Sequence, residues 1–319
     1  MKKIRVSFII PHRNRTRMLV ETIQSVMAQD CDTEQLEIIL VTQDKEIANE
    51  VPEFSKVSNL KIIYRDLNDT ISHLRNTGAA AANGEYLAFI DADIELSSNW
   101  VNEMLSVIEQ SDYILIGGVQ CNSANATAME KIRTALSSSR KDSEVDFLPG
   151  PNLFMRRRDF KTSNGFPEHL ATCEDYHFTN ELSHRGRLYH SSRARFVHLG
   201  EDKSFAQMFA KEIWRSQSNI ESMLERDFSI AEVPSLASPL LFTIMPVVAL
   251  VCLLSGYAVY GVAALLTALL INAAYVLRLN RIAGGQIGLL DQFLFYSCYF
   301  PARAVGILQG SLKAAGFRG

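Results

Sequence analysis

The sequence predicts a doubly wound α/β domain with a mostly parallel sheet, followed by helices that cross a membrane. Three observations carry this. Apolar, β-branched runs alternate with helical patterns through residues 5–200, as βα units do. One of those runs, Tyr86 to Ile90, ends abruptly in Asp91-Ala92-Asp93, and Ser235 to Leu277 contains no charged side chain.

In chain order, Val6 to Ile10 reads as a strand buried on both faces. Pro11-His12-Arg13-Asn14-Arg15 ends it. Thr16 is placed to cap a helix whose Leu19, Ile23, Val26 and Met27 share one face. Leu36 to Val41 is the second strand and Leu60 to Tyr64 the third. A helix through Leu74, Ala79 and Ala82 ends at Gly84, and Gly78 lets it pack closely on the sheet. Tyr113 to Val119 reads as another strand. The polar stretch beyond it, through Ser143, is a loop carrying a helix, either a lid over substrate or a surface insertion. In open α/β sheets ligands bind at the carboxyl ends of strands, where Pro11, Thr42 to Asp44 and Asp91 to Asp93 all fall.

Residues i and i+2 of an extended segment point the same way, so Asp91 and Asp93 can converge on one cation. Oxygen ligands favour Mg²⁺ or Mn²⁺. Two aspartates alone read rather as turn residues capping a helix near Ser98. Their surroundings decide between the two. Ile9-Ile10-Pro11 with Asn14, then Ser72-His73-Leu74-Arg75-Asn76-Thr77-Gly78, then Ala82-Asn83-Gly84-Glu85-Tyr86 immediately before the aspartates, form an ordered set. In this order and spacing, residues 5 to about 200 resemble the family 2 glycosyltransferases, inverting enzymes of GT-A fold.

The resemblance implies a nucleotide-sugar donor bound through Pro11, Asn14, Arg75 and Asp91, and a metal held by Asp91, Asp93 and His198, the last in Ala194-Arg195-Phe196-Val197-His198. An imidazole in the set favours Mn²⁺ over Mg²⁺. Arg75 carries a fixed fork of donors suited to phosphate or carboxylate. The stretch Phe147 to Met155, with Gly150 and Asn152, resembles the family's acceptor side, and Trp214 is a candidate acceptor platform. In Thr172-Cys173-Glu174-Asp175 the family match makes Asp175 the general base for an acceptor hydroxyl, with Glu174 the second candidate. Thr172 and Asp175 also have the spacing of a capping box. One departure concerns the nucleotide base. Where the family carries an acidic residue after the second strand, this chain has Val41-Thr42-Gln43-Asp44, so either Asp44 reads the base or Thr42 and Gln43 do. The family alone favours a uridine nucleotide.

Ser204 to Ile220 is amphipathic, with Phe205, Met208, Phe209, Ile213 and Ile220 near one face. It suits an interfacial helix or one packed on the domain. Trp214-Arg215-Ser216-Gln217 departs from the Gln-x-x-Arg-Trp order of processive relatives. Pro234 to Leu254 and Tyr257 to Leu277 are each long enough to cross a bilayer, with Ser255-Gly256 turning a hairpin. Arg278 and Arg281 put the far end of the second helix, and the catalytic domain with it, in the cytoplasm. Ile287 to Leu308 holds Asp291, Pro301 and Arg303. A central Asp or Arg costs about 2.5–3.5 kcal/mol on insertion, which favours an interfacial or re-entrant helix over a third crossing, with Lys313 and Arg318 near the headgroups.

A net charge of −3 excludes a general nucleic-acid binder. Five scattered cysteines without zinc spacing read as reduced thiols, and the N-terminal segment has no signal-peptide pattern. The expectation is thus a GT-A domain over 1–230, with 204–230 as a possible interfacial helix. A membrane region over 231–319 follows, its hairpin at 234–277 and a further helix at 287–308. This describes a multi-pass protein of the inner (cytoplasmic) membrane that passes sugar to a lipid-linked or envelope polysaccharide acceptor. The competing classes are a nucleotidyltransferase, which would release pyrophosphate, and a non-catalytic scaffold.

Overall fold

The computed structural model describes residues 2–45, 47, 54, 57, 59–224 and 230–314. The chain divides into two compact units, Met1–Ser123 with Arg140–Gly200, and Ala124–Ser139 with Glu201–Gly319.

The first unit begins β1 (Val6–His12), α1 (Thr16–Met27), β2 (Leu36–Thr42), β3 (Leu60–Tyr64), α2 (Ile71–Ala81) and β4 (Tyr86–Ile90). These four strands are parallel in the order β3-β2-β1-β4. Successive residues of β1 face opposite layers. Phe8 and Ile10 pack with Leu19 and Val26 of α1, while Ile9 packs with Leu74 and Ala79 of α2. Gly78 permits the second contact, because a Cβ there would meet Val41 Cγ2 at 3.3 Å and Ile9 Cγ2 closer still. Thr16 is the first residue of α1 rather than its cap. Arg15 occupies the cap position in the left-handed region, φ 61°, which turns the chain sharply out of β1.

The chain continues through β5 (Ile94–Leu96), α3 (Trp100–Glu109), β6 (Leu115–Cys121), α4 (Ala128–Ser137), β7 (Ser143–Val145), β8 (Asn152–Arg156), α5 (Arg157–Thr162), α6 (Glu174–Ser183) and β9 (Leu188–His198). Beyond β4 the sheet is mixed. β8 runs antiparallel between β4 and β6, pairing Asn152 with Ile90, and this brings the segment before β8 to the carboxyl end of β4. β5 pairs antiparallel with the end of β9, Ile94 opposite His198.

The second unit is helical among the described residues: α4, α7 (Phe205–Arg215), α8 (Asn219–Leu224), α9 (Val233–Leu254), α10 (Ala258–Ile282) and α11 (Leu289–Ala314). The division differs from the expected one at residue 230, and buried charge explains it. Arg133 of α4 lies 3.5 Å from Glu201 and 3.8 Å from Glu212 of α7, tying the helix of the polar insertion to this unit. The amphipathic stretch is two helices rather than one. Its buried positions include Met208 and Glu212, whereas Phe205, Phe209 and Trp214 are exposed.

α9 and α10 are each long and apolar enough to cross a membrane. Leu250, Leu254, Val259, Leu266 and Leu270 are exposed on them, unlike the face of a soluble core hairpin. Arg278 and Arg281 fall inside the last turns of α10, which runs to Ile282. α11 continues through Pro301, and its Arg303 is paired with Glu212 at 2.9 Å, so the charge that weighs against insertion has a buried partner. Arg318 and the side chain of Lys313 lie outside the described residues.

Candidate active site

Three groups of side chains meet at the carboxyl ends of β1, β2 and β4, all within the first unit. The central one is built on Arg75, whose side chain is 1% exposed. Its position in α2 aims the guanidinium at the segment after β4. Nη2 donates to Asp91 Oδ1 at 2.8 Å and Nη1 to Glu174 Oε1 at 2.9 Å. Phe166 lies under the guanidinium, 5.1 Å from ring centroid to Cζ. The neighbouring Asn76 fixes that ring, its amide donating to Phe166 O at 2.8 Å and accepting from Phe166 N at 2.9 Å. The Arg-Asn pair thus divides its labour: Arg75 holds carboxylates and Asn76 holds the platform beneath Arg75.

Asp175 joins this group through the main chain. Its Oδ2 accepts the N–H of Gly150 at 2.9 Å and its Oδ1 that of Tyr176 at 2.8 Å. Gly150 has little room for a side chain, since a Cβ would stand 3.0 Å from Asp175 Cβ and 3.1 Å from Arg75 Nη2. Thr172 precedes the cap position of α6 rather than occupying it. Cys173 takes the cap position of α6 with φ 64° and gives no side-chain cap, which frees Glu174 and Asp175 to face the site. One guanidinium serves Asp91, Glu174 and Asp175. Burial and the adjacent Asp175 therefore outweigh the Arg75 pairing and push the Glu174 carboxyl up to about 7, and burial likewise raises Asp175.

Asp93 belongs to a second group. β4 ends at Ile90 and a turn at residues 92–93 interrupts the extended segment, and the two aspartates take different partners. Asp91 accepts from Arg75, whereas Asp93 Oδ1 lies 3.2 Å from His198 Nε2, brought there by the β5–β9 pairing. Arg15 pairs with Asp93 Oδ2. Sequence reasoning missed this role of Arg15. Its signal was the cluster of arginines directly after the first strand. Among the described residues no three acidic, histidine or cysteine side chains form a metal cluster, so the expected set of Asp91, Asp93 and His198 is not assembled as one group. Two ligands about 2.1 Å from an octahedral ion and at right angles lie about 3 Å apart. The Asp93–His198 pair therefore fits two neighbouring positions around a divalent ion.

The third group lies at the ends of β1 and β2. Asn14, at φ 59°, donates its N–H to Asp44 Oδ2 at 2.8 Å. Thr42 is buried, its hydroxyl 3.0 Å from both His12 Nδ1 and the Asp44 N–H, and the Gln43 amide donates to the carbonyls of Asp66 and Asp69. Of the alternatives for reading a base, Thr42 and Gln43 are occupied internally, and Asp44 keeps a partly exposed carboxylate. His12, also missed, lies between Thr42 and Asp44, with burial lowering its pKa. Pro11 sits inside β1 opposite Val41.

The acceptor-side expectations separate. Gly150 is in the site. Asn152 is turned inward, its Oδ1 accepting from Gly118 N at 3.1 Å and Trp100 Nε1 at 3.2 Å, because it lies within the antiparallel ladder. Trp214 is on α7 of the second unit, 54% exposed.

Comparison with known proteins identifies the family. The family described as Glycosyl transferase family 2 matches residues 7–166, half of the chain. Glycosyltransferase AglE of Haloferax volcanii is 29% identical over 190 residues, covering 57% of this chain and 62% of that protein. The poly(ribitol-phosphate) beta-N-acetylglucosaminyltransferase TarS of Staphylococcus aureus is 24% identical over 182 residues, 55% of this chain and 32% of that one. The chain thus matches less than two thirds of the length of either. Among solved structures, the mannosyltransferase PcManGT from Pyrobaculum calidifontis, in complex with GDP-Man and Mn²⁺, superposes with a TM-score of 0.66 at 17% identity, covering 96% of this chain and 88% of that one. That likeness extends the shared fold over nearly the whole molecule. With the ordered motifs, the GT-A sheet and the carboxylate cluster at the end of β4, the chain belongs to glycosyl transferase family 2.

Proposed function

We propose that this chain is a membrane-associated, inverting glycosyltransferase that moves a sugar from a nucleotide donor to a hydroxyl of a lipid-linked or envelope saccharide. The observation that carries the reading is the Arg75–Asp91–Glu174–Asp175 cluster, a set of partly buried acids held around one buried arginine at the carboxyl end of the central strand. Asp175 removes the proton of the acceptor hydroxyl. A sugar hydroxyl is a weak nucleophile, and a carboxyl raised toward neutrality is a better base for it than an ordinary aspartate. The hydroxyl oxygen then forms a bond to the anomeric carbon as the bond to the nucleoside diphosphate breaks, and an α-linked donor yields a β-linked product.

Asp93 and His198 are the residues that would hold a divalent ion, Mn²⁺ or Mg²⁺. Such an ion supplies neutralisation of charge on the departing diphosphate. Asp44 is the candidate reader of the nucleotide base. Family grounds favour UDP, whereas the structurally similar mannosyltransferase PcManGT is in complex with GDP-Man. The apolar α9–α10 hairpin supports anchoring in a membrane with the sheet domain on the cytoplasmic side, and the exposed Phe205, Phe209 and Trp214 support α7 as an interfacial helix.

The test is calorimetric titration of the detergent-purified chain with UDP and with GDP, each with and without Mn²⁺, beside Asp93→Asn. Metal-dependent binding of one nucleotide, lost in the variant, is the expected result. Folded protein that binds neither nucleotide would overturn the transferase reading in favour of a scaffold.

A further inference from the structure

The second unit contains a cavity of about 530 Å³ that the transfer reaction above does not use. It opens where the start of α9, the end of α10 and the middle of α11 converge. This is the end of the apolar hairpin opposite its Ser255-Gly256 turn, so in a bilayer it lies at one interface and not in the hydrocarbon. Its lining is of two kinds. Pro239 and Phe300 supply apolar wall, and Arg278 and Arg303 supply charge, with Tyr275 and Tyr299 between them. The aromatic wall is ordered, Tyr275 meeting Phe300 edge-on at 4.9 Å between centroids.

The two arginines are not equivalent. Arg303 is committed: Nη1 donates to Glu212 at 2.9 Å and to the Tyr299 hydroxyl at 3.2 Å, and Nε donates to Ser235 O at 3.1 Å. Arg278 is exposed at the cavity and makes no ion pair or hydrogen bond among the described residues. An arginine at the end of an apolar helix commonly reaches for the headgroups. Here it does so beside a concave, part-aromatic chamber of the size that holds a ligand. A cation at the rim with apolar walls beneath it fits an amphiphile whose anionic head and hydrocarbon tail are adjacent.

We propose that this cavity binds the phosphate headgroup of a membrane lipid. Arg278 meets the phosphate, the tyrosines border it, and the first carbons of the tail lie along Pro239 and Phe300. Two sources share this chemistry, a bilayer phospholipid and a lipid-phosphate acceptor. The second deepens the acceptor reading above and rests on it, whereas the site itself does not.

The experiment titrates the full chain, in a neutral sugar detergent, with dodecyl phosphate, inorganic phosphate, farnesyl phosphate and a short-chain phosphatidylglycerol. Arg278→Gln and Arg278→Lys are titrated in parallel, and UDP and GDP serve as an independent check of the first unit. One charge-assisted contact corresponds to a change of about tenfold or more in affinity. The expected result is dodecyl phosphate binding that falls by at least about tenfold in Arg278→Gln, is largely kept in Arg278→Lys, and exceeds inorganic phosphate by a similar factor. Nucleotide binding stays unchanged in both variants. Preference for farnesyl phosphate assigns the site to a single-chain lipid-phosphate acceptor, and preference for phosphatidylglycerol assigns it to the bilayer; either supports the site. Equal binding by wild type and Arg278→Gln overturns it. Inorganic phosphate competing as well as dodecyl phosphate overturns the lipid assignment. Lipid-phosphate binding by a folded chain that binds no nucleotide would leave this site standing while removing the transferase reading.

Discussion

The main-chain N–H of Gly150 donates to Asp175 Oδ2 at 2.9 Å, joining the loop before β8 to the first turn of α6. This contact orients the carboxylate of the proposed base through the main chain, without consuming a side chain. Asp175→Asn keeps the size and one acceptor oxygen but cannot take a proton. Transfer is expected to fall by about 10²–10⁴-fold, with nucleotide affinity by calorimetry unchanged. Full activity in that variant would remove Asp175 from the mechanism.

The stability of the first unit should depend on pH through the same cluster. Glu174 titrates at about 7 in the folded chain, against an ordinary value of 4.5. Between those values the folded state keeps a proton that the unfolded chain has released. The stabilisation is complete below the lower value and is lost as pH rises through the upper one. Asp175 is shifted in the same direction. Denaturant unfolding followed from pH about 5 to about 8 should show declining stability, with a shallower decline in Glu174→Gln.

Arg75 should be the residue that the cluster tolerates losing least. Replacing it by Met leaves Asp91, Glu174 and Asp175 without their shared cation, and breaking a buried ion pair from one side typically costs about 3–5 kcal/mol. Arg75→Met is expected to lower the unfolding midpoint markedly at pH about 8. Acidification, which protonates the stranded carboxyls, should recover part of the loss.

A parallel effect is expected in the second unit. Glu212 is buried with Arg303 at 2.9 Å and Arg133 and Arg215 each at 3.8 Å. Glu212→Ala removes the carboxylate these cations share, while Arg133 keeps Glu201 and Arg215 keeps Asp202, and it should lower the thermal midpoint in detergent. A cut in the chain between α7 and α11, revealed by limited proteolysis, should appear earlier in this variant than in wild type.

The sequence alone determined the elements whose cause is local. Strands Leu60–Tyr64 and Tyr86–Ile90 fall where the apolar runs place them, and the second, buried at every residue, is apolar along its whole length as such a strand must be. The two apolar helices were equally plain, since an uncharged stretch of that length has few soluble uses. The order of motifs was enough for the family, and Asp175, Glu174 and Arg75 were found as candidates on that basis. Tertiary structure decided how they meet. That Asp91 turns to Arg75 and Asp93 to His198 and Arg15 depends on a turn after β4 and on β9 returning beside β5, a pairing about a hundred residues apart in sequence that no local pattern encodes. Asn152 read as an acceptor-side residue, and the ladder turns it inward; the polar stretch carrying α4 read as either a lid or a surface insertion, and only the fold brings its Arg133 to Glu201 and Glu212. Periodicity and spacing report what each segment must bury; which carboxylate faces which cation is settled only when distant segments compete for the same buried charge.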